Sequence, residues 1–177
     1  MLDTLNKLLS FGSSIILVID IIVLYFIFLK KENALISFIK NKSLFLIFVI
    51  SGLASIASLF YSGIIGYTPC VLCWWQRIGI FGTFVISSVA LIKNNRSAIS
   101  SIQALSVFGI LFSMYHNYIY YTGNSPLPCD VSASCIQRFV FEFGFMTIPL
   151  MAFITLLTFL IIGYLGEKNN TDKNIVG

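Results

Sequence analysis

Residues 69–92 read PCVLCWWQRIGIFGTFVISSVALI. Pro69 suits the start of a helix and not its interior, because it has no N–H to donate. From Trp74 to Ile92 the chain is apolar apart from a few small polar residues, Gln76 and the cation Arg77. That length matches the roughly 20 helical residues needed to cross a bilayer. Two cysteines therefore stand at the mouth of a membrane helix, in or beside its first turn.

The rest of the chain repeats the pattern. Of 177 residues, 58% are hydrophobic and 10% charged, against about half and about a quarter in a soluble domain. So few charges cannot cover a surface facing water. Five runs are long enough to span: 11–29, 44–63, 74–92, 101–121 and 146–165. Backbone groups in lipid must be satisfied within the segment, which predicts helices. The expected fold is an all-α membrane protein, a four-helix transmembrane bundle (43–165) behind one extra N-terminal transmembrane helix with its following loop (1–42). Residues 166–177 are polar and read as an irregular cytoplasmic tail. The first run lacks a basic start and a small-x-small cleavage site, so it reads as a retained helix. The net charge of +4 comes from lysines and arginines at segment ends and predicts no nucleic-acid partner.

Those cations set the orientation. Lys30, Lys31, Lys40, Lys42, Lys93, Arg96, Lys168 and Lys173 flank alternate ends of the runs, and the opposite loops hold only Arg138. Cytoplasmic loops are the basic ones, so five crossings leave the N-terminus outside, with Lys7 as a weak dissent. All four cysteines then face outward: Cys70 and Cys73 at the third helix, Cys129 and Cys135 in the loop 122–145. An outer compartment is where disulfides persist. Four cysteines allow three connectivities, and proximity favours Cys70–Cys73 and Cys129–Cys135 as resting pairs.

A spacing of three puts Cys70 and Cys73 on one helix face within disulfide reach. The positive end of a helix lowers a thiol pKa. Arg77 shares the Cys73 face, and a guanidinium one turn into a span needs a partner or an interface. A Cys73 thiolate, an oxygen-rich ligand and lipid headgroups all qualify. His116 falls at a similar depth near the outer end of the fourth run, although spacing cannot say which face it shares. A cysteine-held zinc is disfavoured, because structural zinc sites favour reducing compartments and soluble knuckles. Asp20 lies mid-span, where a carboxylate is costly. It reads as a buried, protonated structural residue, with a proton relay as the alternative.

PCVLCWWQR, then YHNY late in the next helix, then PLPC…C in the outer loop, then FGFMTIPLMAF resemble the disulfide bond formation protein B family, and within it the shorter, Gram-positive-like branch. The resemblance covers roughly 43–165. It implies a bacterial plasma-membrane oxidase that reoxidises a soluble thioredoxin-fold dithiol oxidase and passes electrons to a quinone, ubiquinone or menaquinone. It also implies roles: Cys129–Cys135 accept electrons from the partner, Cys70–Cys73 reoxidise them, Cys73 faces the quinone as a thiolate, and Arg77 and His116 bind the quinone. Two alternatives remain. One is a non-catalytic membrane component with two structural disulfides. The other is a vitamin-K-epoxide-reductase-like protein, in which the loop pair usually precedes the CxxC pair rather than following it.

Overall fold

The structure, a computed structural model, describes residues 2–123, 135 and 139–176. Its helices are α1 (Leu2–Phe28), α2 (Ala34–Gly63), α3 (Val71–Ile92), α4 (Ala98–Thr122) and α5 (Ile148–Val176). All five are long and apolar enough to cross a membrane. Helices α2 to α5 close a four-helix bundle in which each packs on its neighbours in chain order and α5 returns to α2. Helix α1 joins from outside and rests mainly on α5.

The outward faces suit lipid. Leu53, Ile56, Leu111 and Tyr118 are exposed, and apolar tails solvate such side chains as well as a protein core would. Inside, Ile47, Ile102, Leu156 and Phe159 are fully buried beside Ser51, Thr83, Ser106 and Ser113. Small residues let the backbones approach. A Cβ at Gly109 would lie 2.9 Å from Leu156, and one at Gly166 would lie 2.5 Å from the Ser43 hydroxyl.

Several polar contacts fix the ends. Thr147 caps α5 by accepting from the Leu150 amide at 3.1 Å, the usual N-cap arrangement. Residues Glu142–Phe145 form a tight turn with Phe143 and Gly144 both at positive φ. The Tyr120 hydroxyl donates to the Val140 carbonyl at 2.9 Å and that of Tyr121 to the Phe145 carbonyl at 2.5 Å. These bonds lay residues 140–145 across the C-terminal end of α4. At the opposite end, Lys40 pairs with Glu32, and Arg96 donates to the Asn41 carbonyl at 3.3 Å.

Two boundaries differ from the sequence expectation. Helix α2 begins at Ala34, ten residues before the apolar run that marks it, because Ile36 and Ile39 are buried and draw the polar turns around Lys40 into the helix. Helix α5 continues to Val176, where an irregular tail was expected. No Pro or Gly interrupts residues 167–176, and a helix already nucleated in the bundle propagates at little cost. The extra N-terminal helix and the four-helix bundle are as the sequence predicts.

Gly166→Leu should lower stability by about 1–3 kcal/mol through overpacking. Gly63→Ala, where a Cβ meets nothing within 4 Å, should change it little. Denaturant titration in detergent checks both; an unchanged Gly166→Leu would contradict the α2–α5 crossing.

Candidate redox site

The site begins with a helix cap. Cys70 stands just before α3 in extended conformation, and its sulfur accepts from the Cys73 amide at 3.4 Å. Sulfur here takes the place of the usual oxygen cap, satisfying one of the orphan N–H groups of the first turn. The cap sends the two side chains to different surroundings while keeping their sulfurs 3.1 Å apart.

Cys70 faces the interior. It is buried with Leu72, Ile119 and Cys135 in one cluster. His116 of α4 brings Nε2 to 3.8 Å from the Cys70 sulfur and to 3.3 Å from the Cys135 carbonyl oxygen. Its Nδ1 meets the Gln76 amide nitrogen at 3.1 Å. Gln76 is 3% exposed, so the imidazole is held on both ring nitrogens. Cys70, Cys73 and His116 bring three soft donor atoms within 4.8 Å of one another, a set that could take a thiolate-seeking metal. Those same donors already engage each other and Gln76.

Cys73 packs against this cluster and also lines a cavity of about 340 Å³ shared with Arg77, Gln76, Ser58 and Tyr61 and walled by apolar side chains of α1, α2 and α5. Arg77 reaches across to α2. Its Nε donates to the Ser58 hydroxyl at 2.9 Å and its Nη2 to the Ser58 carbonyl at 3.0 Å. Its guanidinium also lies 5.2 Å from the Trp74 ring centre, at cation–π distance. Among the described residues the ion pairs are Lys7–Asp3 and Lys40–Glu32, so no carboxylate neutralises Arg77 there.

Residues 40–160 match the family model "Disulfide bond formation protein DsbB". The chain belongs to the disulfide bond formation protein B family. A prophage-derived disulfide bond formation protein B of Bacillus subtilis is 38% identical over 113 residues, which is 63% of this chain and 76% of that protein. A probable disulfide formation protein of Oceanobacillus iheyensis is 36% identical, covering 67% of this chain and 84% of its own length. Disulfide bond formation protein C of Bacillus subtilis is 30% identical, covering 73% of this chain and 99% of that protein. No solved structure matches this chain. The chain is thus a multi-pass membrane protein of disulfide formation, an oxidoreductase role.

Within this family fold, the predicted site residues separate into two sides. Cys70, Cys135 and His116 gather on the interior side; Cys73 and Arg77 share the cavity. Cys129 lies outside the described residues. One expectation changes. Cys70 and Cys73 are free thiols rather than a resting disulfide, while Cys135 is disulfide-bonded. The spacing brings the first two sulfurs together whichever redox state they hold. In this pair a hydrogen bond from Cys73, and then the hydrogen bond and charge of His116, hold the Cys70 thiol down to about 4 against the opposing effect of burial. Arg77 meanwhile turns to Ser58. His116, whose face the spacing left open, lies outside the lining of that cavity and lines a smaller one with Cys70, Cys73 and Cys135.

Gln76 and Ser58 were not picked out by sequence. Gln76 carried a usable signal, a polar residue between two spanning tryptophans and an arginine. Ser58 carried none, since serines are scattered through every span.

A Cys70 thiolate forms above its depressed value and is lost as pH falls through it. The ultraviolet thiolate absorbance that separates the protein from its Cys70→Ser variant should therefore titrate near 4 and shift upward in His116→Leu. A midpoint near the free-thiol value of about 8.5 would contradict the geometry.

Proposed function

We propose that this chain oxidises the dithiol of a soluble thioredoxin-fold partner and delivers the electrons to a membrane quinone, ubiquinone or menaquinone, in a bacterial plasma membrane with its cysteines on the outer face. One observation carries the proposal. Two adjacent thiols at a helix mouth differ in reach: Cys70 packs beside a disulfide-bonded cysteine, and Cys73 borders both that cluster and an apolar cavity that contains a guanidinium. A static staple has no use for that division.

The cavity suits a quinone. Its walls are mostly apolar, its volume of about 340 Å³ exceeds a substituted ring, and Arg77 has no carboxylate partner among the described residues. A cation buried at membrane depth is costly unless something oxygen-rich meets it. Arg77 and Gln76 would hold the ring oxygens. When bound, a quinone supplies the capacity to accept two electrons and two protons.

The chain's own residues do the thiol chemistry. A partner thiolate attacks the Cys129–Cys135 disulfide, forming a mixed disulfide at Cys129 and freeing Cys135. Cys135, buried against Cys70, attacks the oxidised Cys70–Cys73 pair at Cys70 and releases Cys73 into the cavity. The partner's second thiol resolves its own mixed disulfide and leaves oxidised. Cys129 then displaces Cys70 from Cys135, restoring the loop disulfide and leaving the Cys70–Cys73 dithiol. The Cys70 thiolate, 3.1 Å from the Cys73 sulfur, closes their disulfide as two electrons and the Cys73 thiol proton leave on the cavity side, and the quinol's second proton comes from water, which took up one proton of the partner dithiol earlier in the cycle. The balance is one partner dithiol plus one quinone giving one partner disulfide plus one quinol. His116 holds Cys70 as a thiolate, and Gln76 holds His116.

Purified protein given a reduced thioredoxin-fold partner should bleach a short-chain quinone. Cys73→Ser should abolish turnover. Arg77→Leu should raise the quinone KM about 10- to 100-fold, the worth of a charged hydrogen bond. Full turnover by Cys73→Ser would sink the proposal.

A further inference from the structure

Helix α1 ends before residue 40, where the family match begins. It nevertheless enters the site. Its inner half is fastened to the bundle: Val23 is 1% exposed in the main core, with Phe26 and Ile27 packed against that core. Asp20 accepts from the Thr158 hydroxyl of α5 at 2.8 Å. Its outer half stands away from α2 and meets it through one buried hydrogen bond, from the Tyr61 hydroxyl to Asn6 Oδ1 at 2.6 Å. The space between is the cavity that holds Cys73 and Arg77, and Leu9, Gly12, Ser13 and Ile16 line it.

Those positions recur at helical spacing and so form one face. Gly12 is the informative member. Glycine inside a helix costs about 1 kcal/mol relative to alanine, and packing does not require it here, since a Cβ would meet nothing within 4 Å. Neither does backbone conformation, because Gly12 is not among the residues at positive φ. What the missing side chain leaves is width, on the wall that closes the opening between α2 and α5.

We propose that α1 is a wall of the electron-acceptor site, and that its Leu9–Gly12–Ser13–Ile16 face determines which quinone is accepted, with the gap at Gly12 admitting the ring. The proposal rests on reading the cavity as the quinone site. The Asp20–Thr158 and Val23 contacts hold the wall at its inner end, and Asn6–Tyr61 sets its distance from α2 at the outer end.

The test uses the full-length protein in nanodiscs. A photoreactive azidoquinone is crosslinked with and without excess unlabelled quinone, and labelled peptides are mapped. Competable label on residues 8–16 together with the Cys73–Arg77 segment supports the proposal. Label on α2, α3 or α5 with α1 bare overturns it and leaves the quinone reading standing. No competable label near Cys73 and Arg77 overturns both. Steady-state kinetics supply a second measurement. Gly12→Leu should raise the KM at least tenfold for a two-ring naphthoquinone and about threefold for a one-ring benzoquinone. Val18→Leu, on the exposed outer face, should leave both within twofold. Equal, unchanged KM values in Gly12→Leu overturn the proposal.

Discussion

A single hydrogen bond, from the Cys73 amide to the Cys70 sulfur, organises the site. It makes Cys70 the cap of a membrane helix and Cys73 part of its first turn. A cap residue leaves the helix axis, so Cys70 points into the bundle beside the C-terminal part of α4, toward Cys135 and His116. A first-turn residue lies on the helix wall, so Cys73 points to the cavity. The positive helix end acts on both sulfurs, and the amide is fixed by the fold, so the electrostatics need no rearrangement. Proximity of the sulfurs and separation of their surroundings follow from the same local geometry.

The surrounding polar residues extend that logic across the bundle. An unpaired polar group in a lipid-facing protein is expensive, and four buried pairs answer that cost by linking particular helices. Gln76 and His116 join α3 to α4. Arg77 and Ser58 join α3 to α2. Asp20 and Thr158 join α1 to α5, and Asn6 and Tyr61 join α1 to α2. Lipid-driven packing alone is a weak guide to register. These links position α3 against two neighbours, α2 and α4, and α1 against α2 and α5, which is what the relay requires.

Much of this was legible in the chain. Apolar runs of spanning length forecast every helix, because hydrocarbon admits no cheaper way to satisfy the backbone. PCVLCWWQR placed the cysteines at a helix start and put Arg77 on the Cys73 side, since spacing fixes faces within one helix. The limits were equally physical. Spacing says nothing about faces between helices, so the side of α3 that receives His116 was open, and Gln76 decided it. Redox state is not encoded in spacing, so the free Cys70–Cys73 pair was not foreseen. Helix α1 was visible as a span, but its face toward the cavity depends on packing against α5. Asp20 is buried as expected, and its partner Thr158 lies 138 residues away, beyond any local pattern.

The central claim is that electrons pass through both cysteine pairs to a quinone. Thiol trapping in intact cells, read by mass spectrometry, tests it most directly. Depleting the quinone pool should convert Cys70 and Cys73, and then Cys129 and Cys135, to alkylated thiols, with Cys73→Ser leaving the loop pair reduced even when quinone is restored. Four cysteines whose oxidation is indifferent to quinone would contradict the account.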